Sequence, residues 1–157
     1  MTEHLVEQIV KRNETRAVKV KKAILIVLTV LSVPFFFPAI TIIMLLVDVF
    51  LFGRMSVEYE YTFFEGDFAI DRVTNKATRR RMFAVKLKDV DVIAQANAPE
   101  LRGYQHIKAL NFSTKIKGNQ TYELVAKQGS EKVRVIFEPN EKLLEEMRRI
   151  EPRKVFL

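Results

Sequence analysis

Hydrophobic and polar positions follow three different rhythms along this chain. From Ala23 to Phe52 there is almost no rhythm: AILIVLTVLSVPFFFPAITIIMLLVDVFLF has Asp48 as its only strongly polar member. A core helix of a soluble protein shows polar residues every third or fourth place, and this run does not. It reads as membrane-embedded. A bilayer core takes about 20 helical residues, whereas one straight helix over the whole run would be about 45 Å long. Pro34 and Pro38 bracket a Phe-rich turn, and each proline lacks an N–H and disfavours α geometry in the residue before it. The expected arrangement is a transmembrane helical hairpin over 17–54, with spans at about 17–33 and 38–54. A single kinked span is the alternative. Charge favours the hairpin: Lys11, Arg12, Arg16, Lys19, Lys21 and Lys22 precede the run, Arg54 closes it, and no Lys or Arg lies between. Under the positive-inside rule both termini are then cytoplasmic and the turn lies at the far face.

Beyond Arg54 the period becomes two. Val57, Tyr59, Tyr61 and Phe63 alternate with Glu58, Glu60 and Thr62, the pattern of a half-buried strand. Glu65-Gly66-Asp67 turns the chain into a second strand over 68–73. Further strands are expected over 79–87, with Arg81, Phe83, Val85 and Leu87 on one side, and over 90–94, 106–112, 122–126 and 133–137, with a polar loop at 95–104. The third rhythm is helical. Leu143, Leu144, Met147 and Ile150 form an apolar stripe behind Asn140, the expected N-cap. Residues 1–11 show a similar stripe, Leu5, Val6, Ile9 and Val10, and read as a short amphipathic helix. The expected division is a cytoplasmic N-terminal arm (1–16), the hairpin (17–54) and a soluble cytoplasmic domain with its closing helix and tail (55–157).

About seven antiparallel strands followed by one helix form a strongly bent sandwich or partly open barrel. Over roughly Met55–Ile150 the chain resembles the pleckstrin-homology-like (PH-like) fold, in the bacterial form that follows a pair of membrane helices. Val57–Tyr61, Asp71-Arg72, Lys88–Ala94, Ile136–Glu141 and the tail Pro152–Phe156 are similar to an uncharacterised bacterial family of small two-span membrane proteins of unknown function. The resemblance implies an α+β PH-like domain behind a membrane hairpin. It implies no activity, ligand or cofactor.

Charge and chemistry narrow the function classes. The chain carries 26 Lys and Arg against 19 Asp and Glu, a net charge of +7. A basic face suits an anionic leaflet or nucleic acid. Nucleic acid is disfavoured, because the soluble part is also rich in Asp and Glu and has no RNA-binding aromatic motif. With no Cys there is no disulfide or thiolate chemistry. The carboxylates Glu58, Glu60, Glu65, Asp67 and Asp71 match no calcium loop, and His4 and His106 stand far apart, so no metal site is expected. The serines lack a nucleophile elbow and the five glycines form no phosphate loop, so no catalytic residues are assigned.

Two constellations remain. Arg79, Arg80 and Arg81, with Lys76, Lys86 and Lys88, form the densest basic cluster, with Arg80, Lys86 and Lys88 expected on one polar strand face. They are either a grip for anionic lipid headgroups or a solvated face that discourages edge pairing. Asp48 is the one ionisable group inside the apolar run, and in a hairpin it comes level with the start of the first helix. An ion pair with Lys21 or Lys22 is expected there. The sequence therefore points to a non-enzymatic integral membrane protein without cofactors, presenting a PH-like domain to a protein partner or to lipid headgroups. The alternative is a structural subunit of a membrane complex acting through its hairpin.

Overall fold

The computed structural model describes residues 5–34, 38–75 and 77–157. The Phe-rich turn, His4 and Lys76 lie outside them. Among the described residues the order is β1 (Val6–Lys11), α1 (Arg16–Ser32), α2 (Pro38–Met55), β2 (Val57–Phe64), β3 (Asp67–Thr74), β4 (Thr78–Lys86), β5 (Val90–Gln95), β6 (Ala109–Asn111), β7 (Tyr122–Gln128), β8 (Glu131–Phe137) and α3 (Glu141–Ile150). Single 3-10 segments cover Leu87–Asp89 and Pro99–Tyr104.

Two four-stranded sheets, β1-β2-β3-β4 and β5-β7-β8-β6, face each other. Their inner positions make one core. Tyr59, Tyr61, Phe63, Phe68, Ile70 and Phe83 from the first sheet meet Val90, Ile93, Leu124, Val135 and Phe137 from the second. The helix α3 closes the core with Leu143, Leu144 and Met147, while Ile150 ends the stripe half out in solvent. Its start is fixed by Asn140, whose side chain accepts the Leu143 N–H at 2.8 Å. The β2–β3 hairpin turns on Glu65 and Gly66, both at positive φ (48° and 88°). That is the backbone a two-residue hairpin needs, and it favours glycine. The strand β6 runs parallel to β8, so the second sheet is mixed rather than wholly antiparallel.

The N-terminal segment departs from the sequence reading. Residues 6–11 form a strand, not an amphipathic helix, and pair antiparallel with β2 from Val6↔Phe63 to Lys11↔Glu58. The apolar spacing there satisfies either period. Strand parity puts Val6 and Val10 in the core and leaves Leu5 and Ile9 outside. Pairing with a long amphipathic neighbour overrides the local helical pattern.

This also corrects the expected architecture of a transmembrane hairpin preceding a separate C-terminal domain. The two helices are inserted between adjacent strands of one sheet, and the sheet begins before them. Among the described residues only α2 is long and apolar enough to cross a bilayer. The helix α1 spends its first two turns on Arg16, Lys19, Lys21 and Lys22. Its apolar part, Ala23–Ser32, is about 15 Å long at 1.5 Å per residue, roughly half of what a span requires. A two-span hairpin is therefore withdrawn.

Candidate functional site

The first sheet meets the base of the helices at one end. There β1 ends, β2 begins one residue after α2, and the β3–β4 turn lies against the last turn of α2. Gly53 sits so close to the Asn75 side chain that a Cβ would collide with its Oδ1. This end also gathers arginines.

Their placement follows from strand register. On β3, Phe68, Ile70 and Arg72 share the inward parity, so Arg72 continues a row of core residues to the open rim of the sandwich. Across the sheet Val10, Tyr59, Arg72 and Arg80 stand opposite one another in sequence on β1, β2, β3 and β4. Directly opposed residues lie on one face with Cβ atoms about 5 Å apart, and like charges so placed repel. Neither Arg72 nor Arg80 has an ion-pair partner among the described residues, and both are exposed. Next to them Arg12 donates to the Tyr59 hydroxyl at 2.7 Å and lies 5.9 Å from the ring centroid. Tyr59 is buried and held edge-on by Phe112 at 5.3 Å. The result is a rim of three guanidinium groups around one fixed phenol, which can hold an anion by charge-assisted hydrogen bonds.

The basic cluster read from sequence is split by this geometry. A β-bulge between Ile70 and Asp71 brings Asp71 opposite Arg81 while Ile70 stays opposite Phe83, leaving Met82 extra. Parity therefore reverses at Met82. Arg79 and Arg81 turn to the outer face, where Arg79 pairs with Glu60 at 2.9 Å and Arg81 forks onto Asp71. The Asp71 hydrogen bonds make the Arg81 guanidinium still harder to deprotonate. These two charges are matched by carboxylates. Arg80 alone of the three joins Arg72, so it does not share a face with Lys86 as expected. Lys86 borders a groove with Asp67, Arg81, Asp89 and Lys127, and Lys88 sits in the 3-10 turn, its carbonyl accepting from Lys154 at 2.7 Å. Sequence reasoning named Arg12 only in the basic flank and Arg72 only in the family resemblance, and assigned neither to the site. The available signal was a charged residue on the buried alternation of a strand.

Asp48 is 8% exposed and faces α1, but it does not meet a lysine. Its Oδ2 accepts from Thr29 Oγ1 at 2.7 Å, and Ser32 donates to the Thr29 carbonyl at 2.7 Å. Lys22 turns back to Glu14, whose carboxyl its hydrogen bond and charge hold below the ordinary range. Lys21 is exposed with no ion pair among the described residues. The expected pair fails because Lys22 has a carboxylate two turns earlier, at the more polar end of its helix. Asp48→Leu should weaken the α1–α2 contact by about 1 kcal/mol, a typical interhelical hydrogen bond in apolar surroundings. Asp48→Asn, which keeps an acceptor, should cost less. Thermal melting in detergent checks the order, and equal melting of the two variants would remove the Thr29 bond from the account.

The sequence model of one protein family, Bacterial PH-like domain (DUF6106), matches residues 2–157. The chain belongs to that family. No curated protein and no solved structure matches it. The PH-like family match takes in β1 and both helices, not only the part after Met55, in agreement with a sheet that starts at Val6. It therefore overturns the division into a membrane hairpin followed by a C-terminal PH-like domain.

Proposed function

We propose that this bacterial PH-like protein is a non-enzymatic membrane-associated module that binds anionic lipid headgroups at the rim formed by Arg12, Arg72 and Arg80. The observation that carries the reading is the cross-strand Arg72–Arg80 pair, two opposed cations without a carboxylate partner among the described residues, beside the base of the apolar helices. The helices expose Ile24, Val27, Leu31, Ile42, Leu46 and Val49, among others, with no protein surface over them among the described residues. Such a surface belongs in lipid. The strands β1 and β2 flank the helices within one sheet, so the PH-like body stands on the side where the polar base of the helices lies. Arg16, Lys19, Lys21, Lys22 and Arg54 mark that side as cytoplasmic. Lipid phosphates then lie level with the rim. PH-like domains are compatible with lipid or protein ligands, and the unpaired arginines favour the anionic lipid.

A basic side chain near an anionic leaflet contributes about 1 kcal/mol, so removing two should weaken headgroup binding roughly 10- to 30-fold. The full chain in zwitterionic micelles, titrated with phosphatidylglycerol and followed by native mass spectrometry, should retain that lipid over phosphatidylcholine. Arg72→Gln with Arg80→Gln should reduce the preference by that factor, whereas Arg79→Gln with Arg81→Gln should leave it. Equal retention by the first double variant overturns the assignment.

A further inference from the structure

The connection between β6 and β7 runs toward the helices. The Phe112 carbonyl accepts the Tyr61 hydroxyl at 2.7 Å, and the Phe112 ring stands edge-on to Tyr59. Two residues on, the Thr114 carbonyl accepts the Asn13 N–H at 2.7 Å. Tyr61, Tyr59 and Asn13 step toward the base of the helices, because β2 starts beside α2 and Asn13 leads from β1 into α1. The turn at 115–118 follows at that end, and Asn119 returns to Thr114 and Glu138. Apolar residues of α2 continue to Phe52, and only Gly53, Arg54, Met55 and Ser56 separate Phe52 from β2. Headgroups around α2 therefore meet this end of the sheet.

The turn is held in one shape. The Thr114 hydroxyl donates to Glu138 at 2.7 Å and accepts the Ile116 N–H at 3.0 Å and the Asn119 amide at 3.2 Å. The Ser113 hydroxyl accepts the Lys115 N–H at 3.3 Å. Lys115 and Gly118 take positive φ, 60° and 94°. This frame presents Lys115, Ile116 and Lys117 outward. Ile116 is 47% exposed. Both lysines are exposed and have no carboxylate partner among the described residues. A lone exposed isoleucine is ordinary on a surface in water. This one stands between two unpaired cations at the end of the body from which the apolar helices rise.

We propose that the 115–118 turn is a second membrane contact: Ile116 enters the boundary between headgroups and acyl chains, and Lys115 and Lys117 bracket it on anionic headgroups. The inference rests on the membrane-associated reading above, and it adds apolar insertion to the charge contacts of the arginine rim. An apolar side chain flanked by lysines suits that boundary, since lysine stems lie along apolar surface while their ammonium groups stay among phosphates. The pinned turn has little conformational freedom left to lose on insertion. With α2 as one fixed point and this turn as another, the PH-like body keeps one tilt on the bilayer, with the arginine rim turned to the lipid.

The chain has no cysteine, so one can be introduced and labelled alone. The test uses the full chain with an environment-sensitive fluorophore on Ile116→Cys, reconstituted in vesicles of equal parts phosphatidylcholine and phosphatidylglycerol. Its emission should shift to shorter wavelength than in micelle-free buffer with the label on free cysteine, and nitroxides on the upper acyl chains should quench most of it. The same label on Leu46→Cys, in α2, reports whether the chain is in the bilayer. On Ser130→Cys it reports the far end of the body, where Gly129 borders Asp67 at the start of β3, and it should stay unquenched. Quenching at Leu46→Cys without quenching at Ile116→Cys overturns this inference and leaves the membrane-associated reading standing. Quenching at neither overturns both. Equal quenching at Ile116→Cys and Ser130→Cys overturns the single tilt and the inference with it. Lys115→Gln with Lys117→Gln should lower quenching at Ile116→Cys in these vesicles, and unchanged quenching overturns the role of the lysines. Arg72→Gln with Arg80→Gln should leave that quenching in place, so failure of the rim is read separately, as lost lipid preference.

Discussion

Tyr61→Ala should be among the most damaging single changes in this protein, costing about 4–8 kcal/mol of stability. Loss of a buried aromatic side chain costs about 3–5 kcal/mol through transfer and cavity terms, and stranded polar groups add about 1–3 more. Tyr61 has no exposed surface and sits where the two sheets meet. Its ring packs edge-on to Phe137 at 5.9 Å. Its hydroxyl donates to the Phe112 carbonyl at 2.7 Å and accepts the Glu138 N–H at 3.3 Å. A strand of the first sheet is thus tied to the segments that follow β6 and β8 of the second. Burial pushes the phenol pKa upward, so the hydroxyl keeps its proton to donate throughout the physiological range.

The same junction organises the long connection after β6. The Glu138 carboxylate accepts from the Thr114 N–H and hydroxyl at 3.1 and 2.7 Å and from Asn119 at 3.1 Å. With a total of about 5–15 kcal/mol available to a domain, Tyr61→Ala should leave little or no cooperative transition in urea. Tyr61→Phe isolates the hydroxyl and should cost about 1–3 kcal/mol by leaving the Phe112 carbonyl and Glu138 N–H unpaired. A Phe variant with an unchanged urea midpoint would show that packing alone couples the sheets.

The sequence was legible where burial alternates strictly. Along β2 the row Tyr59, Tyr61 and Phe63 is inward, and the Asn140 cap with Leu143, Leu144 and Met147 marks α3. In both places local pattern and tertiary burial agree. It was less legible where a single residue decides parity. Nothing in TRRRMFAVK announces the bulge at Met82, yet that bulge sends Arg81 to Asp71 and leaves Arg80 beside Arg72. It was misleading at β1, where Leu5, Val6, Ile9 and Val10 satisfy a helix as well as a strand, and only the partner strand chooses. The apolar run then suggested a domain boundary, because a long hydrophobic stretch between polar segments reads as a separator. Here it is a loop insertion between two paired strands.

The insertion has a direct consequence for dissection of the chain. A fragment of residues 55–157, the soluble unit the hydrophobic pattern suggests, should fail to fold cooperatively. It lacks Val6 and Val10, each contributing about 1.5–3 kcal/mol by burial. It also lacks Gln8, which donates to the Glu138 carbonyl and accepts the Asn140 N–H, both at 2.8 Å, and so joins β1 to the start of α3. Without β1 the amphipathic strand β2 becomes a long bare edge over the core, an arrangement that invites aggregation. The complementary design keeps residues 5–12, removes the helices and joins Arg12 to Val57 through a short Gly/Asn turn. Register makes this feasible: Lys11 stands opposite Glu58, and the Arg12 N–H donates to the Val57 carbonyl at 3.0 Å. The ends of the excised segment are therefore already at hairpin distance, and a two- to five-residue loop closes them at little entropic cost. The closed chain should be monomeric without detergent and should unfold in one urea transition. The 55–157 fragment should show no transition or precipitate. Equal urea midpoints for the two would mean that β1 is an accessory to the sheet rather than its first strand.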